Sequence, residues 1–298
     1  MVLKKLILSL GVTGLALGGL IAGHVLYLYT HREFGPQDFQ QLLVLSLTPA
    51  IYPEEEAQKQ AAEILHQKFT YLGYGGQMTA YESEDHQYVI KFFNPRAIIR
   101  KSWFRQFSKW RRVNSLRWIK NTYFRQEERL LRNFHRYAMA FQDLKEESGL
   151  IYVHLDPSTS LSQKLHLVDK EGAEHEMELD KCPFVLQKKV ELTMHHLGRL
   201  LKEGAHEQAK ESVEQIYQLF LSRAQKGYTD RLQTLHKNYG FFKGRAIQLD
   251  VGRIEKVENL DLLPEMERIV SNITPSLKRT FPQLAPILQE CLKSSSEK

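Results

Sequence analysis

Between Phe69 to Leu72 and Thr79-Ala-Tyr-Glu-Ser lies Gly73-Tyr-Gly75-Gly76, three glycines in four residues flanked by strand-forming side chains. Aromatic and β-branched runs punctuated in this way read as short antiparallel strands, so this part of the chain is committed to a sheet that turns through glycine. A polar turn at Glu84-Asp-His-Gln then leads into Tyr88-Val-Ile-Lys91-Phe-Phe, a third strand with one lysine among apolar neighbours. Glycines at such a turn let backbone amides approach phosphate, and the strand lysine reaches the same phosphate as a point charge. The plainer reading of the same residues is a tight turn and a lysine that meets water.

With 298 residues, 42% of them apolar and 26% charged, the chain can bury a core without covalent staples. Cys182 and Cys291 allow at most one bridge, and no Cys-x-x-Cys pair is present. None of the 12 histidines falls into His-Glu-x-x-His; the nearest strings are His175-Glu-Met-Glu and His206-Glu-Gln-Ala-Lys. The histidines therefore read as structural or solvated.

Lys4 and Lys5 precede a stretch from Leu6 to Thr30 without formal charge. That length suits one membrane crossing, so residues 1–32 are expected to be a retained anchor and the protein a single-pass membrane protein. A cleaved secretory signal has a shorter apolar core, and its one weak cleavage site here, Ile21-Ala22-Gly23, lies inside the run. Gly11, Gly14, Gly18, Gly19 and Gly23 stand near helical spacing, which suits a close helix contact and is equally common in any membrane helix. The flanking charges place the body outside the cytoplasm.

Charge is concentrated between Lys91 and Arg136, where 14 Lys and Arg face only Glu127 and Glu128, against a net +6 for the whole chain. Trp103, Phe104, Phe107, Trp110 and Trp118 interleave with these cations. That pattern points to an anionic lipid surface as partner for residues 96–125. An amphipathic helix with its aromatics in the core fits the same residues. Nucleic acid is not expected, since no recognition motif accompanies the patch.

A helix is expected over 56–69 and another from Asn121 to Gln142, carrying Glu127. Further on come a strand at Gly149 to Leu155, a hairpin near Leu165 to Leu179, the strand Pro183-Phe-Val-Leu-Gln187 and a helical stretch from Glu191. A long helix from Ala205 to Lys226 stops at Gly227 and delivers Asp230 and Asn238 on a loop. A turn at Lys243-Gly-Arg then opens the strand Ala246-Ile-Gln-Leu-Asp250, which ends in Asp-Val-Gly252. Helical patterns at Leu262 to Ser271 and Pro282 to Leu292 close the chain before a frayed Lys-Ser-Ser-Ser-Glu-Lys tail.

Gly73-x-Gly75, Ile90-Lys91, Glu127, Asp230 with Asn238, and Asp250-Val-Gly252 follow one another in an order that resembles the protein-kinase-like fold, over roughly residues 69 to 255. The resemblance implies a glycine loop over ATP formed by Gly73, Gly75 and Gly76. It further implies a phosphate-binding Lys91 paired with Glu127, a catalytic Asp230 at the acceptor hydroxyl, and Asn238 and Asp250 as Mg²⁺ ligands. The sequence departs from the pattern in several places. Met78 stands at the third glycine position, and Tyr228-Thr229 replaces His-Arg. Asp230 precedes Asn238 by eight residues where the motif has five. His236 is an outside candidate for a polar role. No Ala-Pro-Glu string follows Gly252, and only 46 residues remain after it.

The expected architecture is α+β: a bilobal protein-kinase-like domain with a reduced C-terminal lobe, preceded by one N-terminal transmembrane helix. The expected divisions are an anchor at 1–32, a linker and helix at 33–68, a small nucleotide-binding lobe with a basic helical insertion at 69–190, and a reduced helical lobe at 191–298. The resemblance implies ATP and Mg²⁺ as cofactors, and phosphorylation of a small-molecule or lipid-linked hydroxyl. The alternative is a catalytically inactive kinase-like binding module at a membrane surface, and a third class is a structural protein outside the cytoplasm. ATP use points to the cytosol while the flanking charges point away from it, so the side of the membrane stays open.

Overall fold

Helix α1 (Glu55–Leu65) buries Ala57, Ala61, Ile64 and Leu65, a spacing that puts all four on one face of a 3.6-residue helix. The computed structural model describes residues 18–20, 23, 33–39, 54–95, 117–159 and 161–296, with the side chains of 117–124, 126 and 127 outside that description. After α1 come strands β1 (Phe69–Tyr74), β2 (Met78–Ser83) and β3 (Tyr88–Phe93), then helix α2 (Arg117–Asp143), β4 (Leu150–His154), the hairpin β5 (Lys164–Val168) and β6 (Glu174–Glu178), and β7 (Phe184–Lys188). These strands form a curled seven-stranded sheet in the order β4-β7-β3-β2-β1-β5-β6. Neighbours are antiparallel except β1 with β5.

The burial of β3 shows why Lys91 stands alone. Val89, Ile90, Phe92 and Phe93 are buried, because both faces of the strand are covered. Ile90 and Phe92 join a core with Phe39, Tyr81, Phe184 and Leu186, where the Phe39 and Phe92 rings stack at 4.8 Å. Phe93 joins the opposite core with Phe134, Tyr137 and Val185. Its ring meets Phe134 edge-on at 4.6 Å. Helix α2 lies on this second face with Leu130, Phe134, Tyr137, Ala138 and Phe141 buried.

The rest of the chain is mostly helical: β8 (Glu191–Leu192), α3 (Thr193–Lys202), α4 (His206–Gln225), β9 (Tyr228–Asp230), β10 (Tyr239–Phe242), β11 (Arg245–Gln248), β12 (Ile254–Lys256), α5 (Leu262–Thr280) and α6 (Ala285–Ser296). A third core gathers Leu197, Val213, Phe220, Tyr239, Ile269 and Leu288 from these helices and strands. Strands β11, β10 and β8 form one small sheet, and β12 with β9 another. The β10–β11 hairpin turns through Lys243 and Gly244 alone, with φ of 49° and 78°. Two successive positive φ values match the right-handed twist of the flanking strands.

Two differences from the sequence expectations concern the C-terminal helices. Helix α5 runs on through Pro275 to Thr280, held by its buried stripe of Met266, Ile269, Val270, Ile273 and Leu277. The serines expected to fray instead extend α6, where the Ser294 and Ser295 hydroxyls donate to the carbonyls of Glu290 and Cys291.

The expected single-pass membrane location is corrected. Among the described residues no helix is long and apolar enough to cross a membrane. The long helices are amphipathic and charged: α4, 20 residues long, carries Glu207, Lys210, Glu211, Glu214 and Arg223. Of the run from Leu6 to Thr30, residues 18–20 and 23 are described, and the rest lies outside the described residues, as does most of the basic segment 96–125.

Gly240 in β10 faces the backbone of β8. A Cβ there would sit 2.5 Å from the Glu191 carbonyl oxygen and against the Val190 side chain. Gly240→Ala is expected to destabilise the fold by about 1–3 kcal/mol through overpacking. Chemical denaturation measures it, and a loss below ~0.5 kcal/mol would contradict the close approach.

Candidate functional site

Residues from several parts of the chain face one cleft of about 940 Å³. Its roof is the β1–β2 turn, with Gly73, Gly75 and Gly76. Its back is β3 and β7, with Lys91 and Gln187. Its outer edge is the connection Lys188 to Leu192, and its floor is Asn238, Leu249 and Asp250.

The roof is a tight turn. Gly75 N–H donates to the Met78 carbonyl at 2.8 Å. The buried Asn94 side chain donates to the Gly75 carbonyl at 2.9 Å and accepts from the Thr79 hydroxyl at 2.9 Å. A Cβ added at Gly73 or Gly76 would meet nothing within 4 Å. The missing side chains therefore leave room beside the backbone rather than satisfy a strained φ. β1 carries a bulge at Leu72, between the Tyr71–Tyr81 and Gly73–Ala80 pairs.

The floor depends on one backbone hydrogen bond. Leu249 N–H donates to the Asn238 carbonyl at 2.7 Å, joining the start of β10 to the end of β11 and setting Asn238 beside Asp250. Asp250 Oδ1 accepts from Gly252 N–H at 2.8 Å. Glycine two residues on leaves room for this tight loop. A Cβ on Gly252 would lie 2.9 Å from Asn133 Oδ1 and 3.0 Å from Asp250 Oδ1. Helix α2 closes the corner: Asn133 donates to the Gln77 side-chain oxygen, and Arg136 Nη1 donates to the Gly252 carbonyl at 2.7 Å.

Lys91 joins back to floor. Its Nζ donates to Gln187 Oε1 at 2.5 Å and to the Leu249 carbonyl at 3.0 Å. Gln187 is itself fully buried and donates to the Ser148 carbonyl at 2.6 Å. Burial pulls the Lys91 pKa down to about 8, against the upward pull of Asp250. A group at that value is still mostly protonated at neutral pH and keeps a cation in the cleft. Tyr137 lines the cleft beside Asp250, and burial first, then the Asp250 charge, raises its phenol well above the ordinary value.

The sequence-selected residues divide accordingly. Gly73, Gly75, Gly76, Lys91, Asn238 and Asp250 line the cleft together. Asp230 does not. It is 1% exposed at the end of β9. Its Oδ1 accepts from Leu232 N–H at 3.0 Å and its Oδ2 from Gln248 Nε2 at 3.1 Å. Burial raises its pKa. The residue five before Asn238, where the motif's aspartate would stand, is Gln233, and its side chain donates to the Asp230 carbonyl. Glu127 belongs to α2, and its side chain lies outside the described residues. His236 is exposed in the helical turn Leu235–Asn238 and does not line the cleft.

Sequence reading passed over Gln187, Gln248, Asn133 and Tyr137. The signal for the two glutamines was a lone amide inside an apolar strand, Phe-Val-Leu-Gln187 and Ala-Ile-Gln248-Leu. Among the described residues no group of three or more His, Cys, Asp or Glu could hold a metal ion. Asn238 and Asp250 offer one amide and one carboxylate, hard oxygen donors. That set fits Mg²⁺ only where phosphate oxygens and water complete the shell. No protein-family model matches the sequence, and no curated protein is significantly similar to it.

The depressed Lys91 pKa has a signed consequence. Between about pH 8 and the unfolded lysine value the unfolded chain holds more protons, so this group's burial penalty is full below about 8 and is relieved as pH rises. Relative to Lys91→Met, the wild type is expected to gain stability between pH 7.5 and 10, by at most on the order of 3 kcal/mol. Parallel stability profiles from denaturation at both pH values would contradict it.

Proposed function

We propose that the cleft binds ATP with Mg²⁺ in the manner of the protein-kinase-like fold. The observation that carries this reading is the convergence of the glycine turn, Lys91, Asn238 and Asp250 on one cavity. In that fold a glycine-rich loop covers the phosphates, the lysine stands on the third strand, and a loop asparagine and the aspartate of an Asp-x-Gly hold the metal. Lys91 is likewise on β3, and the cavity has the size of a small-molecule site. Bound Mg²⁺ would neutralise phosphate charge, with Asn238 and Asp250 as its protein ligands. Lys91 would exchange its bonds to Gln187 and Leu249 for phosphate oxygens, and the open space beside Gly73 and Gly76 would admit the phosphate chain.

The burial of Asp230 favours a binding module that does not transfer phosphate, because its carboxylate is kept from the cleft and both oxygens already accept hydrogen bonds. Transfer to a small-molecule or lipid-linked hydroxyl is the second reading. It is favoured by the adjacency of Asn238 and Asp250, since phosphoryl transfer depends chiefly on positioning and charge neutralisation.

The protein is expected to unfold at higher temperature with millimolar Mg²⁺-ATP, by the equivalent of about 2.7 kcal/mol at a hundredfold excess over Kd. Lys91→Ala and Asp250→Ala should each remove most of that shift while remaining folded. No shift in the wild type, or an undiminished shift in both variants, sinks the nucleotide reading. ADP release from the wild type in the presence of candidate acceptors would favour transfer over silent binding.

A further inference from the structure

Among the described residues the least explained charge is Arg223. It stands in α4, is 0% exposed, and forms no ion pair among the described residues. Its guanidinium lies 5.2 Å from the centre of the Phe220 ring. Nη1 donates to Gln248 Oε1 at 2.9 Å and to the Tyr239 hydroxyl at 3.3 Å, while Nε and Nη2 meet no acceptor. A buried cation without compensation costs more than two neutral hydrogen bonds return. A counter-charge is therefore required, and Gln248 leads to it.

The Gln248 amide is only 1% exposed. Its oxygen accepts from Arg223, and its Nε2 donates to Asp230 Oδ2 at 3.1 Å and to the Asp250 backbone carbonyl at 3.1 Å. This orientation is fixed by charge. Turned over, the amide would set NH₂ against the guanidinium and oxygen against the carboxylate. Asp230 is anchored from its other side as well, where Arg268 Nη2 donates to its carbonyl at 3.0 Å. We infer that Asp230 is the counter-ion of the buried Arg223, and that Gln248, bridging the two, uses that charge pair to hold the Asp250 carbonyl. Arg223, Gln248 and Asp230 are then positioning residues for Asp250.

The positioning part rests on the nucleotide reading only where Asp250 is taken as a metal ligand, so two readouts on the full chain separate the claims. The first needs no nucleotide. Arg223→Met and Asp230→Asn should each lower the folding equilibrium constant by about tenfold or more, and the double variant by clearly less than the product of the two losses. Losses that simply multiply would overturn the counter-ion assignment. If neither single variant folds, the double decides: a folded double supports the pair, and an unfolded one overturns it. Gln248→Met should also speed hydrogen exchange at the Gly252 amide, which donates to Asp250, beyond any change in global stability; unchanged relative protection would overturn the positioning role. The second readout is ATP affinity with and without Mg²⁺. Gln248→Met should cut the factor by which Mg²⁺ tightens binding by about tenfold while leaving metal-free affinity within about twofold. A parallel fall in both affinities would mark Gln248 as merely structural. A wild type that binds no ATP defeats the nucleotide reading alone, and the first readout still decides the relay.

Discussion

Lys91 brings a half-buried ammonium, mostly protonated at neutral pH, to the back of the cleft, and the surrounding structure is arranged to meet it. The ammonium sits on a strand whose other side chains are packed into two cores, and its hydrogen bonds go to Gln187 and to the Leu249 carbonyl. Both acceptors are fixed by further bonds, Gln187 to Ser148 and Leu249 to Asn238. A single charge thus ties the seven-stranded sheet to the small β10–β11 hairpin. Further polar ties support the same junction: Gln187 Nε2 donates to the Gln248 carbonyl at 3.4 Å, Arg245 pairs with Glu146 at 2.6 Å, and Arg136 Nη1 donates to the Gly252 carbonyl at 2.7 Å.

The strands around the glycine turn were readable because their signals are local. Alternating aromatics, a polar turn at Glu84 to Gln87 and a glycine-rich turn each fix a hairpin within a dozen residues. α1 and α4 were readable for the same reason, each from an apolar stripe and α4 also from its stop at Gly227. What stayed hidden was long-range pairing: the parallel contact of β1 with β5, and the short strands β8, β9 and β12. Strands of two or three residues carry no period of their own and exist only because a partner strand lies alongside.

The candidate site divides along the same line. Gly73, Gly75, Lys91, Asn238 and Asp250 stood out because glycine, a lone strand lysine and an Asp-x-Gly are unusual in their local settings. Asp230 was legible as a residue, but its burial was not, since sequence does not say which way a strand-end carboxylate turns. The β9–β12 pairing places it next to Ile254, and Gln248 claims one oxygen. Gln187 and Gln248 had no periodic signature. Their importance comes from burial, where an amide that both donates and accepts can satisfy a cation, a carboxylate and a carbonyl together.

Asn238 is held in register by the Leu249 amide rather than by its distance along the chain from Asp230. The helical turn Leu235–Asn238 takes up the intervening residues, with Leu235 buried as its only apolar anchor. The segment between the two polar residues is tied back on Asp230, by Leu232 N–H to its carboxylate and by the Gln233 side chain to its carbonyl. What sets the floor of the cleft is the Asn238–Leu249 bond, and a count of residues from Asp230 is a poor ruler for it. The cross-strand bond, invisible in any linear pattern, is the better one.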